Sequence, residues 1–161
     1  MSKLRLAIVT KVNRRKLLAN AEFVNDDYAM GQFKCYACSD EVVCVALVDS
    51  STTKLVGFVA YILKDENLGA YVNAYVNVEF VFLHPRLRQN GNSYQFIRHV
   101  EKAVSLWILS VQEKFNGYRI ILNSVSTPIT DAGARFVKAL DRRLSKIAKK
   151  YSLNFLSSSP E

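Results

Sequence analysis

Histidine and cysteine are scarce: two histidines, His84 and His99, and three cysteines, Cys35, Cys38 and Cys44, in 161 residues. A structural zinc site needs four nitrogen or sulfur ligands at suitable spacing, and the histidines fall far from the cysteines along the chain. The C-x-x-C pair of Cys35 and Cys38 invites a metal or redox reading. Against it stands a reading as small, semi-buried side chains, and no metal ligand is assigned. An odd number of cysteines in a chain without a targeting segment argues for free thiols. The longest uninterrupted apolar run, residues 42–48, is too short to cross a bilayer. The N-terminus carries Lys3 and Arg5 but no signal-like apolar stretch. These absences lead to the expectation of a soluble, cytoplasmic protein, with residues 1–161 forming a single domain and no membrane partner.

Lys and Arg total 22 against 14 Asp and Glu, a net charge of +8. Such a surplus favours anionic partners: nucleic acid, an acidic protein, or a phosphorylated cofactor. Charge alone does not choose among them.

Hydrophobic periodicity supplies an outline. Residues 3–10 read as a strand, and Asn13 is placed to cap a short helix reaching about residue 24. Periodicity is lost over residues 25–40, where Asp26, Asp27, Tyr28, Tyr36 and the cysteines would line a substrate loop or an ordinary surface connection. Residues 42–48 and 54–63 are strand-like and flank the turn-forming D-S-S-T-T. K-D-E-N-L-G then leads to a third run, residues 71–83, so that an antiparallel meander is expected. Ile97, Val100, Val104, Trp107, Ile108, Val111 and Phe115 recur at helical spacing and predict a helix over residues 93–115.

Gly117 punctuates the chain before a strand at residues 118–125. That strand follows a crossover helix and can therefore lie parallel to the third run. Thr130 or Asp131 caps a last helix with Phe136, Leu140, Leu144, Ile147, Ala148 and Tyr151 on its apolar face. Its opposite face is strongly basic, which suits either solvation or a nucleic-acid stripe. Residues 152–156 form one more strand.

The most informative stretch is 78–100, V-E-F-V-F-L-H-P-R-L-R-Q-N-G-N-S-Y-Q-F-I-R-H-V. A β-branched and aromatic run ends at Pro85, a loop rich in Arg, Gln, Asn and Gly follows, and an amphipathic helix starts near Asn92 or Ser93. Main-chain N–H groups at a helix start lack intrahelical partners and sit at the positive end of the helix dipole. A strand feeding such a loop reads as a phosphate grip.

This order of elements resembles the GNAT superfamily of acetyl-coenzyme A-dependent N-acetyltransferases. The family motif is Arg or Gln, two residues, Gly, one residue, then Gly or Ala, between the fourth strand and the next helix. Arg88-Gln89-Asn90-Gly91-Asn92-Ser93 fills it except that Ser93 replaces the last small residue. L-H-P-R-L-R stands where the family has V-x-P-x-Y-R, and K-L-V-G-F-V-A-Y is similar to its third strand. The resemblance implies an α/β (α+β) fold: a mixed, mostly antiparallel sheet of about six strands flanked by helices, with a V-like splay between the fourth and fifth strands.

It also implies roles. Val81 and Leu83 would pair with pantetheine as an added strand would. Amides of Gln89, Asn90, Gly91, Asn92 and Ser93 would hold the pyrophosphate, with Arg88 adding charge. The N–H near Phe82 or Leu83 would polarise the thioester carbonyl. Asn123 would lie near the thioester arm, and Glu79 would serve as general base. The implied activity is acetyl transfer from acetyl-CoA to a primary amine of an unidentified acceptor. The alternative is an inactive GNAT-fold binding or regulatory module, associated with nucleic acid through its basic last helix.

Three features depart from the family. Phe136-Val137-Lys138 stands where many members carry a tyrosine that protonates the departing thiolate. Asn92 replaces an aliphatic residue, though it would serve as a helix N-cap. The tail holds one strand rather than two, an edge left open, supplied by a partner subunit, or covered in a homodimer.

Overall fold

A computed structural model describes residues 3–158. The elements run β1 (Leu4–Ile8), α1 (Arg14–Ala19), α2 (Asp27–Cys38), β2 (Val43–Asp49), β3 (Lys54–Asn67), β4 (Val72–Leu83), α3 (Tyr94–Lys114), β5 (Ile120–Ser124), α4 (Asp131–Lys150) and β6 (Asn154–Ser157). A 3₁₀ turn, Pro85–Leu87, lies between β4 and α3. The six strands form one sheet in chain order. β1 pairs with β2 and β2 with β3 antiparallel, whereas β5 pairs with both β4 and β6 in parallel, giving the expected mixed sheet of six strands. Among the described residues no helix is long and apolar enough to cross a membrane.

The chain forms two compact units, one of residues 3–61 with 79–95, the other of 62–78 with 96–158. β3 and β4 run through both.

The core of the first unit is aromatic. Phe23, Phe33, Phe58 and Phe82 are buried together with Ala29, Cys44, Ala46, Val48 and Leu55. Phe33 meets Phe58 edge-on at 5.2 Å, and Phe23 lies 4.6 Å from Phe82. Aromatic pairs at these separations add about 0.5–1.5 kcal/mol each beyond the area they bury. Gly57 precedes Phe58 on β3 and so faces the other side of the strand, toward Leu83. A Cβ there would sit 2.7 Å from the Phe82 carbonyl oxygen, a main-chain atom with little room to yield. Gly57→Ala should therefore destabilise the protein by about 1–3 kcal/mol, read as a lowered midpoint in urea. An unchanged midpoint would show that β3 and β4 can separate freely there.

Residues 25–40 contain a helix where the lost periodicity predicted none. Asp26 starts α2 by accepting a hydrogen bond from the Ala29 N–H at 2.9 Å. Only Ala29 and Phe33 are fully buried, one turn apart, so the helix shows too small an apolar face to produce a clear pattern. α1 is shorter than predicted and ends at Ala19 rather than near residue 24. The chain is diverted there onto β3: Leu55 N–H donates to the Asn20 carbonyl, and Glu22 N–H donates to the Leu55 carbonyl, each at 2.9 Å.

The cysteines separate. Cys35 and Cys38 are exposed on α2, whereas Cys44 is buried on β2 and burial pushes its thiol up to about 12. The semi-buried reading thus fits neither exposed thiol. Since the thiolate is the reactive form, alkylation of the native protein should label Cys35 and Cys38 and spare Cys44 until unfolding. Mass spectrometry of the peptides checks this, and rapid native labelling of Cys44 would contradict it.

In the second unit, β3 runs four residues beyond the predicted end, through K-D-E-N. Tyr75 Oη donates to Glu66 Oε2 at 3.2 Å and Lys114 Nζ donates to Asp65 Oδ2 at 2.7 Å, giving the polar extension partners from other elements. Gly69, at φ +84°, closes the hairpin to β4. α3 buries Phe96, Ile97, Val100, Val104, Ile108 and Val111 at helical spacing. α4 is capped by Thr130, whose hydroxyl accepts from the Gly133 N–H at 3.0 Å, and buries Phe136, Val137, Leu140, Leu144, Ile147 and Ala148.

Candidate functional site

The candidate site is built on the end of β4. In the second unit, Val72 N–H donates to the Arg119 carbonyl, the Val76 carbonyl accepts from the Val125 N–H, and Val78 N–H donates to the buried Ser126 hydroxyl at 2.8 Å. These even-numbered peptide groups face β5. In the first unit, His84 N–H donates to the Val56 carbonyl at 2.8 Å, and the Phe82 carbonyl lies against Gly57, so even-numbered groups there face β3. With even-numbered groups facing β3, the peptide groups of the alternate residues Val81 and Leu83 point away from it.

The loop after β4 is held from within. Leu87 is buried and closes the 3₁₀ turn, its N–H donating to the His84 carbonyl at 2.9 Å. Arg88 Nε donates to the Leu83 carbonyl at 2.8 Å, with its guanidinium 5.8 Å from the centre of the Phe82 ring. Asn92 does not cap α3 as expected; its Nδ2 donates back to the Leu87 carbonyl at 3.0 Å and draws the loop shut. The first helical amides are internally bonded, Tyr94 N–H to the Gly91 carbonyl and Gln95 N–H to the Asn92 carbonyl.

The main-chain N–H groups of Gln89, Asn90, Gly91, Asn92 and Ser93 make no hydrogen bond among the described residues. Gln89 and Gly91 have φ of +68° and +72°, alternating with residues of negative φ. Successive residues of alternating hand are the backbone pattern from which anion-binding nests are made. A Cβ on Gly91 would meet nothing within 4 Å, so its backbone angle, not crowding, calls for glycine. Gln89 adopts the same region with a side chain, at a cost of about 1–2 kcal/mol. The strand-to-helix pattern and Gly91 made the loop visible in sequence, whereas the strain at Gln89 left no mark there.

Glu79 is exposed, on the same stretch of β4. Nearby, Phe80 contacts Tyr28 at 5.8 Å, Tyr36 at 6.1 Å and Phe58 at 5.4 Å. Burial, and secondarily the Glu79 charge, raise the Tyr36 hydroxyl pKa. Asn123 lies on β5 in the second unit, half-buried and in register with Tyr75 and Leu156. The other candidate residues all belong to the first unit.

One constellation was invisible in the sequence. Arg86, in the 3₁₀ turn, donates from Nε and Nη2 to the two Glu22 carboxylate oxygens at 2.7 and 2.8 Å, and from Nη2 to Asp49 Oδ2 at 3.0 Å. Asp49 Oδ1 accepts from the Ser51 N–H and hydroxyl. The Arg86 hydrogen bond holds the Glu22 carboxyl below its usual range. The Ser51 hydroxyl, with Arg86 assisting, does the same for the buried Asp49. Partners 64 and 37 positions away in the chain leave no local pattern to read.

No protein-family model matches the chain, and no curated protein matches it in sequence. Solved structures do match it in shape. AAC(6')-Iy in complex with the bisubstrate analogue CoA-S-monomethyl-acetylneamine aligns with TM-score 0.50 over 86% of this chain and 90% of its own, at 17% identity. A ribosomal-protein-alanine N-acetyltransferase from Brucella melitensis biovar Abortus 2308 aligns with TM-score 0.52 over 85% and 89%, at 11% identity. A chain of the KacTA–DNA complex aligns with TM-score 0.59 over 93% and 99%, at 12% identity. At these identities the likeness is one of fold alone, shared with the two N-acetyltransferase structures.

Proposed function

We propose that this protein is an N-acetyltransferase that moves an acetyl group from acetyl-CoA to a primary amine. The observation that carries the reading is the row of unbonded N–H groups from Gln89 to Ser93 between β4 and the 21-residue helix α3. Those groups suit a diphosphate, since a hydrogen bond to a charged acceptor contributes about 1.5–3 kcal/mol. Val81 pairs with the pantetheine arm through its peptide group, which faces away from β3; the Leu83 carbonyl is already held by the Arg88 Nε. Arg88, anchored by its Nε, adds positive charge beside the loop.

Acetyl-CoA supplies the activated thioester. The Leu83 N–H polarises its carbonyl in preference to that of Phe82, whose peptide group faces β3. An amine of pKa about 10.4 must lose a proton near neutral pH, at a cost of roughly 4–5 kcal/mol, and Glu79 is the assigned acceptor for that proton. The amine nitrogen bonds the acetyl carbon as the carbon–sulfur bond breaks, and the second proton the nitrogen must lose passes to water. The thiolate takes its proton from water, consistent with a thiol pKa of about 8.5.

Calorimetry with acetyl-CoA tests the binding half, and thiol release with a panel of primary amines tests the chemistry. Binding and release are expected in the unaltered protein, with release strongly reduced in Glu79→Gln. Absence of binding would remove the reading. A second reading, a GNAT-fold binding module without turnover, is favoured by the buried Phe136 and Val137 beside Lys138, where no tyrosine hydroxyl is offered. Tight binding without thiol release across the panel would support it.

A further inference from the structure

α4 carries seven of the chain's Lys and Arg residues within 20 positions. Six of them, Arg135, Lys138, Arg142, Lys146, Lys149 and Lys150, are exposed, and none makes an ion pair among the described residues. The seventh, Arg143, lies 3.6 Å from Glu101. Of the helix's two acids, Asp141 is buried and Asp131 stands in the first turn, so the outer face is cationic along its length. Like charges four residues apart, at 138, 142, 146 and 150, disfavour an isolated helix. The pattern therefore does not serve helix stability.

We propose that this outer face of α4 is a docking surface for double-stranded DNA, held through its phosphates. The inference rests on α4 alone and is independent of the acetyl-transfer reading. The apolar face of the helix is committed to the core through Phe136, Leu140, Leu144 and Ile147, leaving none to insert into a lipid surface. The exposed face offers no aromatic or large aliphatic anchor of the kind at the centre of a protein interface. It also offers no ring on which the bases of a single strand could stack. What remains is a cationic stripe about 22 Å long, over which B-form DNA presents about thirteen phosphate charges. Ala134, Ala139 and Ser145 between the cations keep the surface low. The wide major groove of B-form DNA admits a helix, whereas that of an RNA duplex is too narrow.

Fluorescence anisotropy with a DNA duplex of about 20 base pairs, at salt concentrations from about 50 to 200 mM, tests this. The logarithm of affinity should fall with the logarithm of salt with a slope of about −4. The triple variant Lys138→Gln, Arg142→Gln, Lys146→Gln should flatten that slope by about 2–3. Arg5→Gln, Arg15→Gln, Lys16→Gln removes the same charge from exposed positions elsewhere and should leave the slope unchanged. The charge-preserving triple Lys138→Arg, Arg142→Lys, Lys146→Arg should bind as the parent does, which separates lost contacts from lost folding. Equal losses in the two neutralising triples, absence of salt-dependent binding, or a tenfold preference for an RNA duplex, a single strand or anionic phospholipid vesicles would overturn the proposal.

Discussion

Gly91→Asp should weaken acetyl-CoA binding at least a hundredfold while leaving the fold intact. The substitution places a carboxylate among N–H groups proposed to face a diphosphate, so it removes favourable hydrogen bonds and adds like-charge repulsion. Losing two such bonds at about 1.5 kcal/mol each already exceeds a hundredfold. Aspartate tolerates left-handed backbone, and the space around a Cβ at position 91 is open, so the melting temperature should move little. Gly91→Ala separates charge from conformation. It costs on the order of 1 kcal/mol at φ +72° but keeps every amide, and its affinity should stay within about tenfold of the parent. Equal affinity in all three proteins would remove the loop from the binding site.

Arg86→Ala should produce the largest loss of stability among single exchanges near the loop, a fall in melting temperature on the order of 5 °C or more at neutral pH. Arg86 joins the turn before residues 88–93 to Glu22 and to the buried Asp49, and its removal takes the cationic partner from both carboxylates. Both carboxyl pKa values are lowered in the fold, so their contribution is fully present above their unfolded values near 4 and is lost as pH falls through the folded ones. The gap between parent and variant should be widest above about pH 5 and should close in more acid solution. A gap that stays constant with pH, measured by thermal denaturation across a buffer series, would mean that the triad does not act through charge. Arg86→Lys should fall between the two, because a lysine cannot reproduce the fork that meets both Glu22 oxygens.

The elements most legible in sequence are those whose burial follows one period. α3 and α4 place their buried residues three or four apart, and β2 is an unbroken apolar run, so pattern alone located them. α2 was missed because two buried residues make no stripe, and the end of β3 because its partners are Lys114 and Tyr75, remote in the chain. In the site, Gly91 and the strand–loop–helix order were readable because each follows from local backbone demands. The return hydrogen bond from Asn92 and the Arg86 triad depend on tertiary partners. They changed roles: Asn92 closes the loop instead of capping the helix, and Arg88 has its Nε committed to the Leu83 carbonyl.

The most direct test is a titration of the ¹⁵N-labelled protein with coenzyme A, following the amide resonances of residues 89 to 93. They should shift together and downfield as the diphosphate binds, and should stay in place when pantetheine, which lacks the diphosphate, is added instead. Coenzyme A binding that moves other amides and leaves these five unchanged would contradict the phosphate grip on which the functional reading depends.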